Sequence, residues 1–181
     1  DNALSDPAND MLLLGPRAPH AGEAAELICE LTGMERVTFA NSGTEAVMAA
    51  LRLARAATKR TKVVIFENSY HGHADNVMAR SVSHDGILSA APVAPGITQG
   101  SVEDVVLLEY GSDDALEYLR NHAHEFAAIM VEPVQSRRPD LQPREFLHEL
   151  RRITSEAGGV LIFDEMITGF RLHQGGAQAY Y

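Results

Sequence analysis

An α/β fold built on a largely parallel sheet is what this 181-residue sequence predicts, and two observations carry the prediction. Short apolar runs recur at Lys62–Glu67, Val105–Leu108, Ala127–Val131 and Val160–Phe163, each of the continuous kind that fills a strand buried on both faces. Between the later runs lie stretches with helical periodicity, Asp113–His124 and Arg144–Ala157. Strand, helix, strand at this spacing is the pattern of parallel βα units.

Each element follows from local chemistry. Ala21–Leu31 places Ala24, Leu27, Ile28 and Leu31 at helical spacing, and Gly33 ends the helix. Val37–Ala40 predicts a short strand. Thr44–Ala57 is rich in Ala, Leu and Arg, with Val47, Leu51 and Ala54 along one stripe, so it predicts a helix. Ser81–Gly100 holds Gly86, Pro92, Pro95, Gly96 and Gly100 among small residues and reads as an excursion off the sheet. Gln135–Pro143 is a Pro-bounded loop. No repeat or low-complexity tract occurs, and the Pro-rich stretches are too short to be linkers, so one domain is expected.

Composition narrows the function. Fifteen Lys and Arg face 25 Asp and Glu, a net charge of −10, the wrong sign for a protein that grips nucleic acid through its phosphates. No apolar run reaches the length of a membrane span. Cys29 is the only cysteine, which excludes a disulfide framework and a cysteine-built zinc site. No secretory signal opens the sequence, and a cytoplasmic address is the expectation. The only lysines are Lys59 and Lys62.

In open parallel sheets, ligands collect at the carboxyl ends of strands. Four such ends carry chemistry here: Asn41-Ser42-Gly43-Thr44, Asn68-Ser69-Tyr70-His71-Gly72-His73, Glu132-Pro133 and Asp164-Glu165. Ser42 with Glu45 fits a capping box, which needs no ligand. The same residues also suit a phosphate, because a helix start offers free N–H groups and a positive dipole, and Gly43 lets an anion approach. Asp164 leaves a buried run at the rim of the sheet, where a carboxylate is suited to hold a metal or a protonated ring nitrogen. His71, His73 and Asp75 have the spacing of metal ligands and define a rival reading as a metallo-hydrolase of the metallo-β-lactamase type, although Asn76 stands where that family has a histidine. Glycine-rich nucleotide signatures are absent.

Taken together and in order, Asn41–Ala46, Tyr70-His71-Gly72, Glu132-Pro133 and Asp164–Arg171 resemble the class III pyridoxal-phosphate aminotransferases, in particular the glutamate-1-semialdehyde aminomutase branch. The resemblance runs from about Leu14 to the last residue. It implies a fold-type-I transferase large domain, with helices on both faces of the sheet, and pyridoxal 5'-phosphate as cofactor. Ser42, Gly43 and Thr44 would hold the phosphate, Tyr70 would stack on the ring with His71 beside it, and Asp164 would pair with the ring nitrogen. Met166 would pack on the opposite ring face, and Glu132 would lie near the substrate as a third catalytic residue. Ile167 stands where many class III enzymes have Gln, another mark of the aminomutase-like branch.

The resemblance also implies a lysine that anchors the cofactor beyond the Asp-Glu motif, and no lysine follows Asp164. The expectation is therefore an incomplete large domain over 1–181, without the lysine segment and the C-terminal small domain, and inactive alone. Val131–Pro143 resembles the aminotransferase domains of hybrid polyketide/nonribosomal peptide synthetases of the microcystin type, which aminate a carrier-bound β-keto chain. That origin, with glutamate as amino donor and a homodimeric assembly, is the functional expectation. A free-standing glutamate-1-semialdehyde 2,1-aminomutase of tetrapyrrole synthesis is the alternative.

Overall fold

The computed structural model describes residues 19–84 and 87–181; Leu14, where the resemblance begins, lies outside them. In chain order the elements are α1 (Pro19–Thr32), α2 (Gly43–Thr58), β1 (Lys62–Phe66), β2 (Ala79–His84), β3 (Ile87–Pro92), α3 (Gln99–Val102), β4 (Val105–Leu108), α4 (Asp113–His122), β5 (Phe126–Val131), α5 (Arg144–Ala157), β6 (Val160–Phe163) and α6 (Gly176–Tyr180). Short 3-10 turns at Asp75–Val77 and Ala123–Glu125 complete the path.

Four strands form one sheet in the order β4-β1-β5-β6, and every pairing is parallel. The central strands explain their own composition. All six residues of β5 are buried, as is β1 from Val63 onward, so neither face tolerates a polar position. Alternation divides their side chains between two cores. Val64 and Phe66, with Ile129 and Val131, pack against Leu116 and Leu119 of α4 and Leu147, Leu150 and Ile153 of α5. Val63 and Ile65, with Ala128 and Met130, pack against Val47, Leu51 and Ala54 of α2. The result is three layers, with helices on both faces.

Helix ends follow the expected chemistry. Gly33 takes φ 71° and donates its N–H to the Cys29 carbonyl at 2.9 Å, and Gly158 closes α5 at φ 64°, both conformations that glycine adopts without a Cβ clash. At the amino ends of the strands, Arg60 bridges the carbonyls of Phe126 (3.0 Å) and Ala157 (2.8 Å).

Two expectations are corrected. Val37–Ala40 forms no strand: no strand of the described residues pairs with it, and Thr38, Phe39 and Ala40 are exposed. Exposed at three of its four residues, the segment buries too little apolar surface to be held as a strand. The excursion expected over Ser81–Gly100 does leave the main sheet, but it begins at Ala79 and contains an antiparallel β2–β3 pair, register Ala79↔Pro92 to His84↔Ile87. Its Ser- and Ala-rich strands hold Val82 and Ile87 as their β-branched residues, and Pro92 falls at the last position, where a missing donor is tolerated.

Candidate active site

Three of the four motifs leave the sheet at the carboxyl ends of β1, β5 and β6, and the fourth opens α2. What joins them is the segment 67–73. Thr44 Oγ1 accepts the His73 N–H at 3.1 Å. Glu132 Oε2 accepts the Tyr70 N–H at 2.9 Å. His71 Nδ1 lies 2.7 Å from Asp164 Oδ2, and with an ionised carboxylate as acceptor Nδ1 carries the proton. Gln135 Nε2 donates to the Glu67 carbonyl at 2.7 Å. Every other motif therefore binds to this one loop.

The loop's backbone is specialised for that task. Asn68 adopts φ 65° and Gly72 φ 89°. A Cβ at Gly72 would fall 2.5 Å from Thr44 Oγ1, so glycine is what permits the approach that closes the His73–Thr44 bond. Below the loop, Phe66, Tyr110 and Phe146 pack with ring centroids 5.4 to 5.5 Å apart. The Tyr110 hydroxyl donates to the Pro133 carbonyl at 2.8 Å, and burial pushes its ionisation up, which keeps it a donor.

At the start of α2, Ser42 is the N-cap and its Oγ accepts the Glu45 N–H at 3.2 Å. Glu45 reaches back to the Asn41 N–H at 2.7 Å, one residue before the cap, a displaced version of the capping box. Cap and anion seat are compatible, since one serine oxygen bonded to Glu45 leaves the first-turn amides of a helix start without intrahelical partners. A Cβ on Gly43 would sit 3.0 Å from the Met166 sulfur, which brings the β6 loop to the same helix end.

Asp164 and Glu165 diverge, as neighbours leaving a strand do. Asp164, with a side chain only 6% exposed, holds His71 and accepts the Met166 N–H at 3.3 Å. Glu165 accepts the Thr168 hydroxyl and the N–H groups of Ala177 and Gln178, so it fastens its own loop to the start of α6. Tyr70 and Met166 stay 49% and 69% exposed, their faces open to solvent. Glu132 is buried, and its second oxygen accepts the Ser136 N–H at 3.2 Å.

The metal reading is corrected by this geometry. His71 is committed to Asp164, His73 and Asp75 are exposed, and no group of His, Cys, Asp and Glu among the described residues is arranged to hold a metal. Gln135, fully buried, was not singled out as a site residue by the sequence; loop glutamines are ordinarily exposed, and nothing in the local pattern marks this one. Neither lysine approaches the site: Lys59 closes α2, and Lys62 begins β1, paired with Glu125 at 2.8 Å at the opposite end of the strand. No described helix is long and apolar enough to cross a membrane.

Comparison with known proteins agrees with this geometry. The profile of the family described as aminotransferase class-III matches residues 2–177. A curated relative, the glutamate-1-semialdehyde 2,1-aminomutase of Alkaliphilus oremlandii, is 44% identical over 162 residues, which is 88% of this chain and 38% of the relative. Among solved structures, an omega-transaminase from Sphaerobacter thermophilus superposes with a TM-score of 0.83 at 36% identity, over 93% of this chain and 40% of that one. A transaminase with PLP bound gives 0.81 at 34% identity, over 92% and 39%. The chain thus spans about two fifths of the proteins it resembles. The fold is that of the fold-type-I transferases, and class-III aminotransferases depend on pyridoxal phosphate. The chain belongs to the class-III aminotransferase family.

Proposed function

We propose that the full-length protein is a pyridoxal-phosphate enzyme that moves an amino group, and that these residues form the larger part of its cofactor cradle. The observation that carries the reading is the buried Asp164–His71 pair at the carboxyl end of β6. A carboxylate withdrawn from water at a sheet rim is costly unless paired, and a protonated ring nitrogen is a partner of the right charge. When bound, the cofactor supplies an electron-accepting ring.

The remaining roles belong to this chain's own groups. His71 Nδ1–H orients the Asp164 carboxylate, which would accept the ring-nitrogen proton through a charge-assisted bond. The amides of Gly43 and Thr44, with the Ser42 and Thr44 hydroxyls, would hold phosphate at the α2 dipole. Tyr70 would cover one ring face and Met166 the other, excluding water from both. The covalent anchor requires a lysine from outside these 181 residues, since Lys59 and Lys62 stand at the far end of the strands. A small domain and a second copy of the protein complete the proposed assembly, and glutamate as amino donor belongs to the carrier-bound reading.

Of the substrate readings, glutamate-1-semialdehyde has the better support, from the name borne by the Alkaliphilus relative. A carrier-bound β-keto acceptor rests on the resemblance of 131–143 alone. The test is a visible-region titration of the full-length protein with pyridoxal phosphate, followed by turnover on glutamate-1-semialdehyde and on a carrier-loaded β-ketoacyl thioester. Saturable cofactor binding with turnover of the semialdehyde is expected. Turnover of the thioester alone transfers the assignment to the second reading, and no cofactor binding overturns both.

A further inference from the structure

We infer that Glu132 is a positioning residue for Tyr70, and that it governs cofactor affinity without carrying protons. The inference deepens the ring-stacking role proposed for Tyr70 and rests on it. Tyr70 presents an exposed ring, so side-chain packing among the described residues does not fix where that ring stands. Its position is set through the main chain. The Tyr70 N–H is held by Glu132 Oε2 at 2.9 Å, and three residues earlier the Glu67 carbonyl is held by Gln135 Nε2 at 2.7 Å. The segment 132–135 therefore grips the Tyr70 loop at two points, one through an acceptor and one through a donor.

That grip is itself rigid. Glu132 follows a fully buried strand and is only 5% exposed, and Gln135 is completely buried. The intervening Pro133 carbonyl is pinned by the Tyr110 hydroxyl. Both Glu132 oxygens are occupied by backbone N–H groups, of Tyr70 and Ser136. Each oxygen is thus spent on holding a main-chain amide of a neighbouring loop. A general acid or base must instead reach a substrate proton at hydrogen-bond distance. Because His71, the next residue, is bonded to Asp164, a displaced Tyr70 backbone would also alter the spacing between the ring-face group and the ring-nitrogen group.

The test uses the full-length protein and Glu132→Gln, which keeps the shape but replaces one acceptor with a donor facing a backbone N–H. The expected result is a pyridoxal phosphate Kd about tenfold or more higher, faster hydrogen exchange at the Tyr70 amide in the apoprotein, and a pH profile of kcat/KM that keeps both limbs. In a Tyr70→Ala background the same substitution should change Kd by less than about twofold, because both act through one element. An unchanged Kd and unchanged Tyr70 exchange with loss of one limb of the profile would make Glu132 a proton carrier and overturn the inference. Full additivity with Tyr70→Ala overturns it as well. Should Glu132→Gln fail to fold, Gln135→Met removes the other hold and must also raise both Kd and Tyr70 exchange; no change in either refutes the shared grip. If the wild-type protein binds no pyridoxal phosphate, the cofactor reading fails separately, and exchange at Tyr70 still decides whether Glu132 holds that amide.

Discussion

The segment after β1 and the segment after β6 both leave the sheet at its carboxyl end, and both carry residues of the candidate site, yet they are held in different ways. Residues 67–73 are fixed from outside: Gln135, Glu132, Asp164 and Thr44 each take one of their groups. Residues 164–172 are fixed largely from within and from α6, because the Glu165 carboxylate gathers Thr168, Ala177 and Gln178. They leave Met166, Ile167, Phe170 and Leu172 exposed. The first loop is a polar hub whose shape depends on every other motif. The second is a self-contained turn that displays apolar side chains around one buried carboxylate.

The comparison can be broken at its one shared bond. Asp164→Ala removes the proposed ring-nitrogen partner and leaves the His71 Nδ1–H buried without an acceptor. In the full-length protein, amino transfer should fall on the order of a thousandfold, the scale of losing a preorganised electrostatic partner; steady-state rates near wild type would remove Asp164 from the chemistry. A backbone change in the hub comes next. Gly72→Ala meets both a φ of 89° and a 2.5 Å approach to Thr44 Oγ1, for a cost of about 2–3 kcal/mol in denaturant unfolding. Gly33→Ala, at φ 71° with open space around it, should cost only about 1 kcal/mol. Equal losses would mean that the Thr44 contact is not what selects glycine at 72.

Smaller effects sharpen the same contrast. Thr44→Val deletes the acceptor of the His73 N–H and should cost about 1 kcal/mol of stability, read by thermal melting with faster amide exchange at His73. Met166→Ala, in the self-contained loop, should shift stability by no more than about 0.5 kcal/mol because the side chain is exposed. Its proposed effect is on cofactor affinity, measured by the same spectroscopic titration. A large stability loss at Met166 would show that its contact with α2 at Gly43 is part of the core.

Much of the frame was legible because buried parallel strands must be apolar without interruption. Val63–Phe66, Val105–Leu108, Ala127–Val131 and Val160–Phe163 all fall in strands. Pro143 and Gly158 flank α5 so clearly that Arg144–Ala157 is also the observed helix. The β2–β3 pair was not legible, since Ser and Ala carry little strand preference. In the site, three of the four motifs do leave strand ends, the fourth opens α2 with no strand before it, and Asp164 and His71 prove to be partners. The ties made by Glu132, Thr44 and Gln135 were hidden for a physical reason. Their partners are main-chain groups of Tyr70, His73 and Glu67, which every residue possesses, so no residue type announces them.

The ties of the 67–73 loop also bear on when the site comes into being. They link residues 29, 62, 68 and 93 positions apart, and closing such long loops has to await the contacts that reward it. The β2–β3 pair, by contrast, joins neighbouring stretches of chain and needs no distant partner. A chain emerging from synthesis can therefore complete its hairpin early but not its hub, because Asp164 is made 93 positions after His71. Under the proposed function, cofactor capture would report that the sheet has closed through β6, and ligand present during refolding would favour that closed state over partly assembled ones.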